Sequence, residues 1–339
     1  MNKIKIGVLC PSEIAFRRFM PALKQLDGFE YIGIGAATEH EFYGIDSTEV
    51  KESELEKANN FVKEHGGKIF EGYEKVITSN EIDAVYIPLP PALHFKWAKK
   101  ALENGKHVLL EKPFTTDMKD TAELIELAKS KGLAVHENYM FVYHSQLDFI
   151  REQINNDLIG DIRLIRIDFG FPFRGANDFR YDKDMGGGAL LDCGGYTLKL
   201  ASMFLGDTVK ITTSNLNCKK DFSVDIYGSA TLVNSDGLTA QVSFGMDNSY
   251  KCSLEIWGST GTIFTNRILT APANYKPTVI ITNADGETKT ELQEDDTFKK
   301  SILAFENCIK NENVRREKYD EIIVQSRLVD TIIKENCDE

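Results

Sequence analysis

Lys112 closes the sequence Glu111-Lys112-Pro113 at the end of an apolar run, 107–111. In open α/β sheets ligands bind beyond the carboxyl ends of the strands, so an ammonium there can hold an anion. The proline after it restricts the backbone and permits a cis bond. Taken alone, a strand-end lysine reads as a solvated side chain. Asp192 and Tyr196 follow Gly186-Gly187-Gly188 and stand four apart, on one face of a helix. On residue type alone Tyr196 reads as a core residue. The third place is Cys10-Pro11-Ser12-Glu13-Ile14-Ala15, at the first strand-to-helix junction. A dinucleotide pyrophosphate sits at such a helix N-terminus, where unpaired N–H groups and the helix dipole favour anions. The usual GxGxxG is degraded here. Cys10 and Ser12 replace the leading glycines, Pro11 has no N–H, and Ala15 keeps the third small position. The Ser12 hydroxyl can donate to a phosphate oxygen. Arg17 and Arg18 can add charge, or be plain solvated helix residues. Strand two ends in Ala37-Thr38-Glu39-His40. A carboxylate there favours NAD and an arginine NADP, which makes Glu39 the candidate ribose ligand and leaves the choice open.

The elements that must position these residues alternate over the first third. Strand runs at 3–9, 30–37, 83–88, 107–111 and 133–136 are interleaved with helical spacing at 13–26, 56–64, 74–79, 92–104 and 117–131. The stretch 39–55 carries six acidic residues and reads as an exposed loop or insertion. Strands separated by helices of this length predict a parallel, doubly wound α/β Rossmann sheet. After a helix at 146–157 strands dominate: 162–171, 208–216, 223–234, 237–246, 250–257, 261–265, 278–283 and 287–292. A helix at 188–204 interrupts them, and helices at 296–310 and 316–335 close the chain. Asp236-Gly237 and Asp285-Gly286 read as hairpin turns. This predicts a second, α+β domain with a large, mainly antiparallel open sheet. The expected division is 1–136 for the dinucleotide-binding domain and 137–339 for substrate and oligomerisation.

Composition narrows the function classes. With 339 residues the chain suits two domains, and its net charge of −12 argues against nucleic acid as partner. No apolar run reaches membrane-spanning length, so no membrane partner is expected. The six cysteines are scattered without a CxxC pair and the six histidines show no HxxxH or HxH spacing. A reduced, cytoplasmic setting and no metal follow as expectations.

The string from Ile87 to Pro113, IPLPPALHFKWAKKALENGKHVLLEKP, resembles the signature of the glucose–fructose oxidoreductase / inositol dehydrogenase / MocA family (Gfo/Idh/MocA). Gly186–Tyr196 resembles that family's GGGALLDxGxY/H helix start. Glu137–Gln146 resembles its EAxMxRxxPQ segment, with Val142 for the usual Arg and Ser145 for the usual Pro. The resemblance covers most of the chain. It implies a Rossmann domain, an open-sheet domain, and NAD- or NADP-dependent hydride exchange with a carbohydrate or related small molecule. It places the motif lysine on Lys112 and the general acid/base on Tyr196. Reduction of a ketone leaves an alkoxide that needs a proton; a phenol has a pKa of about 10, which a nearby ammonium lowers. Asp192 is then expected to bond the substrate hydroxyl or hold Lys112. Cofactor contacts are implied for Cys10, Pro11, Ser12, Glu13, Ile14, Thr38, Pro88, Leu89, Pro90, His94, Glu111, Lys112 and Asn138. Substrate contacts are implied for Lys112, Tyr143, His144, Arg174, Asp192 and Tyr196. Arg174 and Arg180 could also meet a phosphate, or pair at the surface.

The first helix, Ile14–Leu23, and a tyrosine rather than a histidine at 196 resemble the sugar-nucleotide ketoreductase branch. A free sugar, polyol or dihydrodiol stays open as substrate. A second reading is a family member that has lost catalysis and serves as a ligand sensor or regulatory protein; the degraded glycine turn motivates it. Alternating apolar residues at 238–245 fit one buried face; the sheet is expected to expose its other face, an exposed apolar sheet face marks an interface, and the resemblance implies dimerisation through this sheet. A homodimer or homotetramer is therefore expected.

Overall fold

The computed structural model describes residues 3–38, 41, 48–175 and 178–337. The apolar runs of the first third become β1 (Ile4–Val8), β2 (Phe29–Ala36), β3 (Lys68–Glu71), β4 (Ala84–Ile87), β5 (His107–Leu110) and β6 (Val135–Glu137). Their order is β3-β2-β1-β4-β5-β6 and every neighbouring pair is parallel. Both faces of such a sheet are covered by its crossover helices, so its inner strands are continuously apolar rather than alternating. All four residues of β4 are buried. The order reverses between β1 and β4, and a doubly wound sheet opens its ligand crevice at that point.

The intervening helices are α1 (Met20–Leu23), α2 (Thr48–His65), α3 (Tyr73–Thr78), α4 (His94–Glu103) and α5 (Met118–Lys131). A π-helical turn, Ala15–Phe19, precedes α1; Pro21 has no N–H with which to close an ordinary bond to the Arg17 carbonyl. Two local expectations fail. The stretch 39–55 is not a loop throughout, because α2 begins at Thr48, eight residues before the helical spacing read at 56–64; its first turns hold three glutamates and little apolar period. β3 was not foreseen. It is a four-residue edge strand, too short to show alternation.

The second sheet is built from β7 (Ile162–Gly170), β8 (Lys210–Cys218), β9 (Asp225–Val233), β10 (Thr239–Gly245), β11 (Lys251–Gly258), β12 (Gly261–Asn266), β13 (Thr278–Asn283) and β14 (Gly286–Glu291). It runs β14-β13-β12-β11-β7-β10-β9-β8 and is antiparallel except for β7 with β10. Helices α6 (Ser145–Asn155) and α7 (Gly195–Leu205) belong to the same unit. Ala240, Val242 and Phe244 point into its core. The opposite face is polar rather than apolar, which corrects the expected apolar surface. Asp168 there meets Ser243, Ser253 and Lys251, and Arg166 meets Gln241 and Glu255. A hollow of about 540 Å³ on that face is lined by Arg166, Asp168, Ser229, Gln241 and Ser243, among others.

The chain divides into two compact units, 1–138 with 298–323 and 139–297 with 324–339. The expected division at residue 136 misses a return of the chain. Helix α8 (Thr297–Lys310) and the first part of α9 (Glu312–Cys337) pack with the Rossmann sheet. Tyr319 donates to the Leu133 carbonyl and Ser301 donates to Asn138. Such pairings across more than 160 residues leave no local pattern in the sequence.

Candidate active site

In the first unit the carboxyl end of β5 carries a buried polar chain. Tyr86 Oη and Asn138 Nδ2 both donate to Glu111 Oε1, each at 2.6 Å. Asn138 Oδ1 accepts from Ser301 Oγ at 2.7 Å, and Ser301 Oγ lies 2.9 Å from His136 Nε2. Burial pushes the Glu111 carboxyl up, while the two hydrogen bonds and the Lys112 charge pull it back. Glu111 and Asn138 therefore act on Lys112 by fixing the strand end that carries it. Lys112 itself is half-buried and its bond to Pro113 is cis.

His94 reads from the sequence as either a cofactor-pocket residue or a packed histidine, and in the structure it is packed. The ring is fully buried. Its Nε2 lies 2.7 Å from the Leu89 carbonyl and its Nδ1 2.8 Å from that of Pro113. It ties the Pro88-Leu89-Pro90 segment after β4 to the segment after Lys112. Burial pushes the imidazole pKa down to about 4, against the pull of the two carbonyls. Desolvation of a fully enclosed cation is the larger effect, so the neutral ring donates to one carbonyl at a time.

At the degraded turn Ser12 is the cap of the first helix. Its Oγ accepts the Ala15 N–H at 3.2 Å and its carbonyl accepts that of Phe16 at 3.0 Å. The hydroxyl proton stays free to donate. The N–H groups of Glu13 and Ile14, in the first turn, have no intrahelical acceptor and suit an anion. Parallel strands, switch point and helix N-terminus together fit a dinucleotide, with Ser12 in place of the second glycine. Arg17 pairs with Glu13 at the surface and Arg18 lies over Phe298. Cys10 is buried, which pushes its thiol up to about 12. Beyond β2, Glu39 lies outside the described residues. Thr38 gives both its N–H and its hydroxyl to Glu41 Oε2, each at 2.8 Å. Glu41 Oε1 accepts the Glu74 N–H at 3.0 Å.

In the second unit Asp192 and Tyr196 lie where a π-helical turn, Leu190–Gly194, runs into α7. Such turns recur at functional sites. Tyr196 is 7 % exposed, and its ring meets Tyr139, Phe141 and Phe169 at centroid distances of 5.1, 5.8 and 5.4 Å. Gln325 Nε2 donates to the Gly195 carbonyl at 2.9 Å. A side chain at 195 would strike the Tyr139 hydroxyl, which explains glycine there. Asp192 Oδ2 accepts from Arg180 Nε at 2.9 Å, and Arg180 also binds Asp178. Burial opposes the guanidinium charge, but Asp192 and Asp178 outweigh it and raise its pKa. Asp225 Oδ2 accepts the Leu190 N–H at 2.7 Å and so caps the helix start; burial pushes its carboxyl up to about 6.

The remaining expectations for this unit divide. Tyr143 is half-buried. His144, expected at the substrate, is buried and caps α6 by accepting the Gln146 N–H at Nδ1, 3.2 Å away. Arg174 is exposed, its guanidinium 4.6 Å from the Phe171 ring centroid.

Two family models match. "Oxidoreductase family, NAD-binding Rossmann fold" covers residues 18–139 and "GFO/IDH/MocA C-terminal domain" covers 148–264. The chain belongs to the GFO/IDH/MocA family. It is accordingly an NAD(P)-dependent oxidoreductase. The first model starts at residue 18, beyond the degraded turn. Among family members, a dTDP-3,4-didehydro-2,6-dideoxy-alpha-D-glucose 3-reductase from Actinomadura kijaniata is 36% identical over 331 residues, 98% of this chain and 95% of that protein. One of the same name from Streptomyces violaceoruber is 37% identical over 91% of this chain and 86% of that protein. The solved structure of KijD10, a 3-ketoreductase from Actinomadura kijaniata, in complex with NADP and TDP-benzene, superposes with a TM-score of 0.90. It is 36% identical, covering 99% of this chain and 98% of that one. KijD10 has also been solved with a tyrosine replaced by phenylalanine and with a lysine replaced by alanine.

Sequence reasoning missed Glu41, Asp225, Ser301 and Gln325 in this family member. Glu41 lies in a stretch read as exposed loop. The other three act through bonds to Asn138, Leu190 and Gly195, each far away in the chain.

Proposed function

We propose that the chain reduces the keto group of a nucleotide-linked deoxysugar, with Tyr196 as proton donor, Lys112 as the ammonium that eases its ionisation, and Asp192 bonding a substrate hydroxyl. A nicotinamide bound in the first unit would supply the hydride for the carbonyl carbon. Tyr196 then gives its phenolic proton to the carbonyl oxygen, and a cation lowers the energy of the phenolate left behind. The aromatic rings around Tyr196 fix its plane, and Arg180 fixes Asp192. The observation that carries the reading is an interval. The lysine and tyrosine replaced in KijD10 stand 84 positions apart, as do Lys112 and Tyr196 here. Similarity to dTDP-sugar 3-reductases along nearly the whole chain supports the substrate class.

Lys112→Ala and Tyr196→Phe are each expected to lower kcat by about 10²- to 10⁴-fold with unchanged circular dichroism. Near-normal kcat in both rejects the assignment. Faster turnover of a free aldose than of a dTDP-linked keto sugar would move the substrate class. We further propose a cytoplasmic homo-oligomer, dimer or tetramer, formed through the second sheet, with no nucleic-acid partner. The net charge of −12 supports the lack of a nucleic-acid partner, and the exposed Trp257 and Tyr227 of that sheet support an interface there.

A further inference from the structure

We propose that this chain selects NAD(H) over NADP(H), and that Glu41 sets the choice. The proposal rests on the nicotinamide reading above and refines it. In a doubly wound fold the adenosine ribose lies beyond the end of strand two, where NADP carries a 2′-phosphate and NAD a hydroxyl. Among the described residues, the groups at the end of β2 and the start of α3 that donate there are committed to one carboxylate. The Thr38 N–H and hydroxyl both go to Glu41 Oε2 at 2.8 Å, and the N–H of Glu74 on α3 goes to Glu41 Oε1 at 3.0 Å. An internal carboxylate thus fills the place an external anion would take. It is held there on both sides: Glu41 is buried, and its own carbonyl accepts the Trp97 indole N–H at 3.3 Å.

What remains on offer at this strand end is acceptor capacity: lone pairs of the Glu41 carboxylate and of Thr38 Oγ1. A ribose hydroxyl has a proton to give to either. A phosphate dianion has none and meets a like charge. The sequence directly after β2 is acidic. From Ala37 to Val50 there is neither lysine nor arginine, while Glu39, Glu41, Asp46 and Glu49 are acidic. On α2, Lys57 is spoken for by Glu54, 3.1 Å away. The hydrogen-bond partners of Glu41 are neutral, so none of them cancels its charge. KijD10 has been solved with NADP, so the inference separates this chain from that relative.

The test is a fluorescence titration of the full chain with NADH and with NADPH. NADH is expected to bind at least about tenfold more tightly, a difference of about 1.4 kcal/mol. Glu41→Gln keeps an acceptor for Thr38 but removes the charge, and is expected to narrow the ratio by raising NADPH affinity. A readout that needs no variant is added salt, which screens the repulsion and narrows the wild-type ratio. NADPH binding as tightly as NADH, or more so, overturns the proposal. A ratio unmoved by both Glu41→Gln and salt overturns the role of Glu41. Binding of neither nucleotide overturns the nicotinamide reading beneath it.

Discussion

Arg180 joins Asp178 and Asp192 through one guanidinium, with side-chain exposures of 21, 21 and 12 %. Its length and planar fork let it satisfy both carboxylates at once. Arg180→Met takes this guanidinium away from Asp192. The expected result is a loss of about 2 kcal/mol in urea unfolding, below the cost of breaking a fully buried pair, together with a fall in kcat whose pH profile moves upward. Arg180→Lys, which keeps the charge, should recover part of both. An unchanged pH profile in Arg180→Met would show that Asp192 does not depend on this contact. At this scale residue type is legible in the sequence and side-chain direction is not. Lys112, Asp192 and Tyr196 stand out by motif. His94 and His144 drew the same attention because imidazole is chemically versatile, yet their rings point inward to carbonyls and amides. Residue type tells what a side chain can do, and packing decides which way it faces.

The helix that carries Tyr196 depends on a carboxylate from another element. Asp225, at the start of β9, caps the π-helical turn through Leu190, and burial raises its pKa from 3.8 to about 6. A carboxyl with a raised folded-state pKa holds its proton more tightly in the native protein. Its contribution is complete below about pH 4 and is lost as pH climbs through about 6. Asp225→Asn keeps an acceptor for Leu190 and cannot titrate. Relative to Asp225→Asn, wild type should therefore lose of the order of 2 kcal/mol between pH 4 and pH 7, measured by urea unfolding at each pH. A constant difference across that range would mean that Asp225 titrates normally. Elements with a full apolar period or a glycine turn were legible, as with β4, α4 and the hairpin at Asp285-Gly286. β3 and the first turns of α2 were not. One is too short for a period, and the other, 48–55, is rich in glutamate and too poor in apolar residues to show one.

At the scale of the molecule, the second sheet exposes a face of paired charges and hydroxyls, with Trp257 at 51 % and Tyr227 at 43 % exposure. Such mixed polar and aromatic surfaces suit association between folded subunits more than a permanently fused core. Sedimentation at micromolar concentration is expected to show a dimer or tetramer, and Arg166→Glu with Gln241→Glu should shift it toward monomer. A wild-type monomer would refute the assembly. Both architectures were readable from the alternation of patterns along the chain, whereas the return of 298–323 to the first unit was not. That return bears on biogenesis. Domains commonly fold in the order in which they leave the ribosome. Here the nucleotide-binding unit lacks Ser301, Phe305 and Tyr319 until almost the whole polypeptide has emerged, while every strand of the second sheet is already out. The unit begun first thus stays open until residue 323, and the second unit in its turn waits for 324–339, which seat Leu328 and Ile332 in its core, so neither is sealed before α9 is made.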